Sequence, residues 1–175
     1  MEEIISEKYV YKGKVVNLKL DRVKLPGGEE HLREVVEHRG SVAILPVTPG
    51  KEFFLIKQFR MAVGEELWEI PAGRIEEGES IEECVKRELK EETGLSAGKI
   101  KKLGEYYPSP GYCTEIIHIY LAEELEEGEA SPEKDEFIEM GKFTREEIVK
   151  LIKEGGIKDG KTYTSFLLFF LEQGG

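Results

Sequence analysis

Residues 41–48, SVAILPVT, form a nearly continuous apolar run. A strand of that kind is buried on both faces, so the chain around it has to supply cover from two sides. The cover is visible downstream. Residues 81–93 read as a helix with Ser80 and Glu83 as a capping box and Gly94 as its left-handed end. Two more helices, REEIVKLIKEG and the strongly apolar TYTSFLLFFLEQ, close the chain. Between these lie strand signals at 52–59, 66–73, about 100–107, 115–124 and 137–143. The 52–59 segment follows SVAILPVT across a Pro-Gly turn and is expected to pair with it as a hairpin, while 66–73 reads as one short strand stopped by Pro71. In front, 8–24 and 31–38 alternate around the turn LPGGEE as an antiparallel unit. The expectation is an α/β (α+β) fold, a mixed sheet sandwiched between helices, with a β unit over 1–40 and the main domain over 41–175.

The 175 residues carry a net charge of -11, which argues against a nucleic-acid or anionic-membrane partner bound through the general field. An anionic ligand would need cations supplied locally. Two cysteines, Cys84 and Cys113, without C-x-x-C spacing, suit a reduced, cytoplasmic protein with no disulfide framework. No signal-peptide pattern or bilayer-length apolar run is read. Glu and Lys abound, whereas Asn17 is the only asparagine and Gln58 and Gln173 the only glutamines, a thermophile-like composition.

The stretch GRIEEGESIEECVKRELKEETGL, 73–95, holds eight glutamates. At about 100° per residue, Ile81, Cys84, Val85 and Leu89 define one inward stripe, and Glu88, Glu91 and Glu92 share it. Glu82, Glu83, Lys86 and Lys90 fall on the opposite side. Solvated i,i+4 pairing explains Glu82 and Glu83 but not the other three. Like charges about 4 Å apart repel by roughly 4 kcal/mol at an effective dielectric near 20, so three carboxylates beside a core need protonation or a cation. Hard divalent ions take oxygen ligands of this kind, and a carbonyl of the preceding loop, such as that of Ala72, could add to the shell. Arg87 borders the stripe within reach of Glu91 and Glu79, a bracing position.

These residues resemble the Nudix hydrolase signature. Gly73, Glu79, Arg87-Glu88-Leu89, Glu91-Glu92 and Gly94-Leu95 fill every position at the family's spacing. The resemblance implies a Nudix α/β/α sandwich and an enzyme that cleaves a nucleoside diphosphate linked to another group, with Mg²⁺ or Mn²⁺. It makes Glu88 and Glu92 metal ligands with the Ala72 carbonyl, Glu91 a ligand or base, Gly73 the shaper of the loop, Arg87 with Glu79 the brace, and Gly94 the helix stop.

Further stretches look like the ADP-ribose pyrophosphatase subgroup: Pro110, fifteen residues beyond Leu95, with Ser109, Gly111 and Glu115, and the segments REVVEH, IKQFR and ELWEIPAG. By that resemblance Arg33 and Arg60 contact phosphate or ribose, and Ser109, Pro110, Gly111 and Glu115 form part of the substrate wall. Glu136, or else Glu133 or Asp135, supplies a late-loop base. The product pair is AMP and ribose 5-phosphate, the partner a nucleoside diphosphate sugar, and the assembly a homodimer through the first β unit. Plainer readings stand beside these: surface arginines, a turn proline, a solvated acidic loop. GDP-mannose or another nucleotide is the alternative substrate. A non-catalytic nucleotide sensor would be expected to have lost carboxylates of the box, and none is missing. Tyr9, Tyr11 and Trp68 could stack on a base or lie in the core. His31, His38 and His118 show no ligand spacing.

Overall fold

The computed structural model describes residues 1–131 and 137–174. The chain divides into two compact units, Met1–Gly40 with Tyr107–Ile116, and Ser41–Tyr106 with Ile117–Gly175.

In the first unit β1 (Glu3–Lys12), β2 (Asn17–Lys24) and β3 (Glu30–Glu37) form an antiparallel sheet in that order. All ten residues of β1 are exposed, Ile4, Ile5, Tyr9, Val10 and Tyr11 among them. Neither tyrosine of β1 is therefore a core residue. Beneath the sheet's charged centre, Lys19 lies 3.3 Å from Asp21 and 3.4 Å from Glu37. The 107–116 segment joins this unit through backbone bonds, Val36 N–H to the Tyr112 carbonyl and Thr114 N–H to the Val36 carbonyl.

The second unit is a layered α/β structure. β4 (Ser41–Pro46) is entirely buried. It pairs antiparallel with β7 (Ala72–Arg74) and parallel with β9 (Ile117–Glu127), which in turn pairs with β8 (Leu95–Tyr106). β5 (Phe53–Arg60) sits in another sheet, between β6 (Glu65–Glu69) and β10 (Ile138–Phe143). The period-2 alternation of β4 divides the interior in two. Ala43 and Leu45 face a core shared with α2 (Arg145–Glu154) and α3 (Gly160–Glu172). Val42 and Ile44 face one shared with Cys84, Val85 and Leu89 of α1 (Ile81–Thr93). The helices therefore cover the mixed sheet on both sides, as the apolar run demands.

Two pairings differ from expectation. Among the described residues the one bridge near the Pro-Gly turn is Val47–Phe53, just past β4, and β4 and β5 then part into different sheets, so they are not a laddered hairpin. The 66–73 stretch is two strands. Pro71 has no N–H to give, and the chain crosses there from β6 to β7, where the Pro71 carbonyl accepts from Ile44 at 2.8 Å. Trp68 packs edge-on to Phe143, with ring centroids 4.9 Å apart, which places it with the core rather than free for a base.

Candidate functional site

Helix α1 is built as its sequence dictates. Ser80 accepts from Glu83 N–H while the Glu83 carboxylate takes Ser80 N–H at 2.9 Å. Gly94 ends the helix at φ 73°, and a side chain there would strike the Gly128 carbonyl at 2.5 Å. The helix presents its apolar stripe to β4 and lays its carboxylates against β7. Glu92 is 5% exposed, and its Oε2 accepts from Ala72 N–H at 2.9 Å. Glu88 lies directly on Gly73. A Cβ at that position would fall 1.9 Å from the Glu88 carboxyl carbon, so only glycine permits this approach.

Arg87 holds the cluster together. Its Nε and Nη2 reach the two oxygens of Glu79 at 2.7 and 2.9 Å, and its Nη1 reaches Glu88 at 2.7 Å and Glu91 at 3.0 Å. Nη2 also donates to the Arg74 carbonyl at 3.1 Å, tying the helix to β7. The guanidinium draws the Glu79 carboxyl down to about 2, against some burial that works the other way, and its own pKa is raised in return. Burial, aided by the nearby Glu79 charge, pushes the Cys84 thiol up, so it stays a neutral core residue.

The repulsion expected among three inward glutamates is relieved differently for each: Arg87 bonds Glu88 and Glu91, Glu92 accepts from the Ala72 amide, and Glu91, read as inward, has a side chain 38% exposed at the helix's solvent edge. Among the described residues no three acidic, His or Cys side chains form a ready-made cage. The donors nonetheless suit a hard divalent cation: two carboxylates screened from solvent, a third 38% exposed, and a backbone carbonyl, all oxygen.

Around this cluster the remaining candidates divide. Arg60 belongs to the same unit and grips buried Glu69 with two bonds, Nε to Oε1 at 2.8 Å and Nη2 to Oε2 at 2.6 Å. Lys161 also bonds Glu69. Burial works against charge on Glu69, yet the two cations hold its carboxyl below the usual range. Arg33 belongs to the other unit and forks onto Glu2 at 2.7 and 3.1 Å. Ser109, Pro110, Gly111 and Glu115 are there too, in a turn where the Ser109 carbonyl takes Cys113 N–H and Glu115 lies 3.6 Å from His38. Glu133, Asp135 and Glu136 lie outside the described residues.

Sequence reasoning missed Glu69 and Lys161. The available signal was a glutamate directly between Leu67-Trp68 and IPAG, an apolar setting in which a carboxylate has to be paired to be buried.

Comparisons with known proteins place the chain in a family. The NUDIX domain model matches residues 37–166. An ADP-ribose pyrophosphatase of Bacillus subtilis (strain 168) is 41% identical over 163 residues, covering 92% of this chain and 88% of its own. A GDP-mannose pyrophosphatase of Escherichia coli (strain K12) is 36% identical over 172 residues, with the same coverage of each chain. A solved structure of an ADP compounds hydrolase superimposes with a TM-score of 0.86 over 99% of this chain and 96% of that one, a shared fold at 19% identity. Nudix hydrolases generally use divalent metal ions, and the pyrophosphatase relatives imply a small-molecule substrate. With the signature filled, its carboxylates gathered against β7, and the family model spanning most of the chain, this protein belongs to the NUDIX family and is a Nudix hydrolase.

Proposed function

We propose that the protein hydrolyses ADP-ribose to AMP and ribose 5-phosphate with Mg²⁺ or Mn²⁺. The observation that carries this is the placement of Glu88 and Glu92 on the Ala72–Arg74 strand, in a chain 41% identical to an ADP-ribose pyrophosphatase. Glu88, Glu92 and the Ala72 carbonyl would hold the cation, with Glu91 beside them. When bound, such an ion neutralises diphosphate oxygens and lowers the pKa of a water. Glu92 is held in place by the Ala72 amide, and Glu88 by Arg87 and the bare face of Gly73. Glu91, the most exposed of the three, is suited to take a proton from water, as is an acid of 133–136. Arg87 stays anchored by its two bonds to Glu79, so it can yield its contacts to Glu88 and Glu91 without leaving the helix face.

Arg60 and Arg33 would offset phosphate charge, and Ser109, Pro110, Gly111 and Glu115 would line the substrate. The exposed β1, which carries Ile4, Ile5, Val10 and two tyrosines and is laddered only to β2 among the described residues, suits a homodimer in which a second copy covers it. Two free cysteines, one buried, suit a reducing compartment such as the cytoplasm. Among the described residues no helix is long and apolar enough to cross a membrane.

A panel of nucleoside diphosphate sugars, with products identified by mass, tests the substrate. ADP-ribose should be preferred, and chelation should abolish turnover until Mg²⁺ or Mn²⁺ is restored. Preference for GDP-mannose would favour the activity of the 36% relative instead. Sedimentation at micromolar concentration should give twice the mass of one 19.9 kDa chain.

A further inference from the structure

Lys161 stands where a lysine is costly. It is the second residue of α3, at the positive end of the helix dipole, and its side chain is only 12% exposed. Its Nζ bonds Glu69 and lies 3.0 Å from Asp159 Oδ1. The cap of α3 does not call for it, because Asp159 Oδ2 already accepts from the Thr162 N–H at 2.9 Å and the Thr162 hydroxyl at 2.6 Å. Nor does Glu69 want for a cation, since Arg60 grips both of its oxygens.

Counting charges gives a reason for the second cation. The Glu69 side chain is 1% exposed and that of Arg60 39%, so a buried anion lies against a cation that solvent can reach. Left to themselves, the two would cancel. Glu92 and Asp159 also act on Arg60 through their charges, so without Lys161 the arginine would be outnumbered by anions. Lys161 answers Glu69 and Asp159 together and restores the balance. The turn that carries it is fixed to the strand it serves, because the Ile70 N–H, next to Glu69, donates to Thr162 Oγ1 at 2.9 Å. Arg60 meanwhile uses Nε and Nη2 on Glu69, with Nη1 outside that grip.

We propose that Lys161 is a positioning residue, which shares Glu69 with Arg60 so that the guanidinium keeps its two-bonded seat and enough uncancelled charge to bind a phosphate of the nucleoside diphosphate sugar. Lys161 acts through Glu69 and does not touch the substrate. The class of substrate, and Arg60 as its phosphate contact, rest on the function proposed above.

The test is kcat and KM for ADP-ribose, at low and high salt, in Lys161→Met, Lys161→Gln and Lys161→Arg, with thermal unfolding of each protein. Lys161→Met should raise KM about tenfold at low salt and less at high salt, with kcat within about threefold of the unsubstituted enzyme. Lys161→Gln, whose amide can still donate to Glu69, should raise KM in the same way and keeps the readout should Lys161→Met not fold. Lys161→Arg, which keeps the charge, should bring KM back to within about twofold. In Glu69→Gln, where the buried anion is gone, adding Lys161→Met should change KM by less than about twofold. An equal rise in KM with and without the Glu69 charge would make Lys161 a direct contact, and unchanged KM in the folded variants that lack the Lys161 charge, at any melting temperature, would make it a brace of α3. Either result would overturn the proposal alone. An unsubstituted enzyme that turns over no nucleoside diphosphate sugar would overturn the reading beneath it as well.

Discussion

Replacing Arg87 by Met keeps the length and much of the packing of the side chain but removes the fork that three carboxylates share. The loss can be sized in two ways. Glu79 is held at about 2 rather than its ordinary 4.5. At 1.36 kcal/mol per pKa unit, that depression contributes about 3 kcal/mol to stability near neutral pH. Removing one member of a mostly buried ion pair costs about 3–5 kcal/mol in general, and here the Arg87 side chain is 25% exposed and that of Glu79 13%. The two routes agree near 3 kcal/mol, which in a chain of 175 residues lowers Tm by about 6–12 °C. The pH dependence is the sharper readout. A carboxyl with a depressed folded-state pKa stabilises above its unfolded value, here above about 4.5, and that contribution fades as pH falls towards 2. The gap between Arg87→Met and the unsubstituted protein, measured by urea unfolding at several pH values, should therefore be widest at pH 6–7 and nearly close by pH 2. Arg87→Lys should recover only part of it, because a point charge cannot serve both Glu79 oxygens in one plane. A gap that stays constant from pH 6 to pH 2 would refute the electrostatic account and leave packing as the cause.

Glu92→Gln can still accept from the Ala72 amide, so Tm should stay near that of the unsubstituted protein while kcat falls by roughly 100-fold or more; unchanged turnover would remove Glu92 from the chemistry. Gly73→Ala places a methyl 1.9 Å from the Glu88 carboxyl, so either the strand or the helix shifts, with about 1–3 kcal/mol lost in chemical denaturation and activity lost with it. Full activity in Gly73→Ala would mean that Glu88 does not need its seat on β7. The Glu- and Lys-rich composition, with a single asparagine, predicts a Tm well above those of ordinary mesophilic domains, readable by calorimetry.

What could be read from the chain was local. The apolar stripe of α1 repeats every 3.6 residues, so a wheel was enough to turn Glu88 and Glu92 inward, and the caps Ser80 and Gly94 lie within a turn of what they cap. The apolar run of β4 announced burial on both faces without saying which strands flank it, because its parallel partner β9 is some seventy residues away. Turn chemistry misled at this point. The Pro-Gly step does bring Val47 to Phe53, but a turn constrains only the ends it joins, and the ladders beyond it are decided by which faces need cover. Arg60 shows the same limit on the scale of the site. Its partner Glu69 lies nine residues on, and nothing in that spacing predicts contact until the β5–β6 register sets Glu69 opposite Ile56. The Gly73–Glu88 seat needs still more, since a strand edge and a helix face must be docked before a missing Cβ has meaning. Function was nonetheless more legible than topology. A signature whose carboxylates lie on one helix, against the strand just before it, carries its geometry in its spacing, whereas the partners of each strand are chosen by the whole chain.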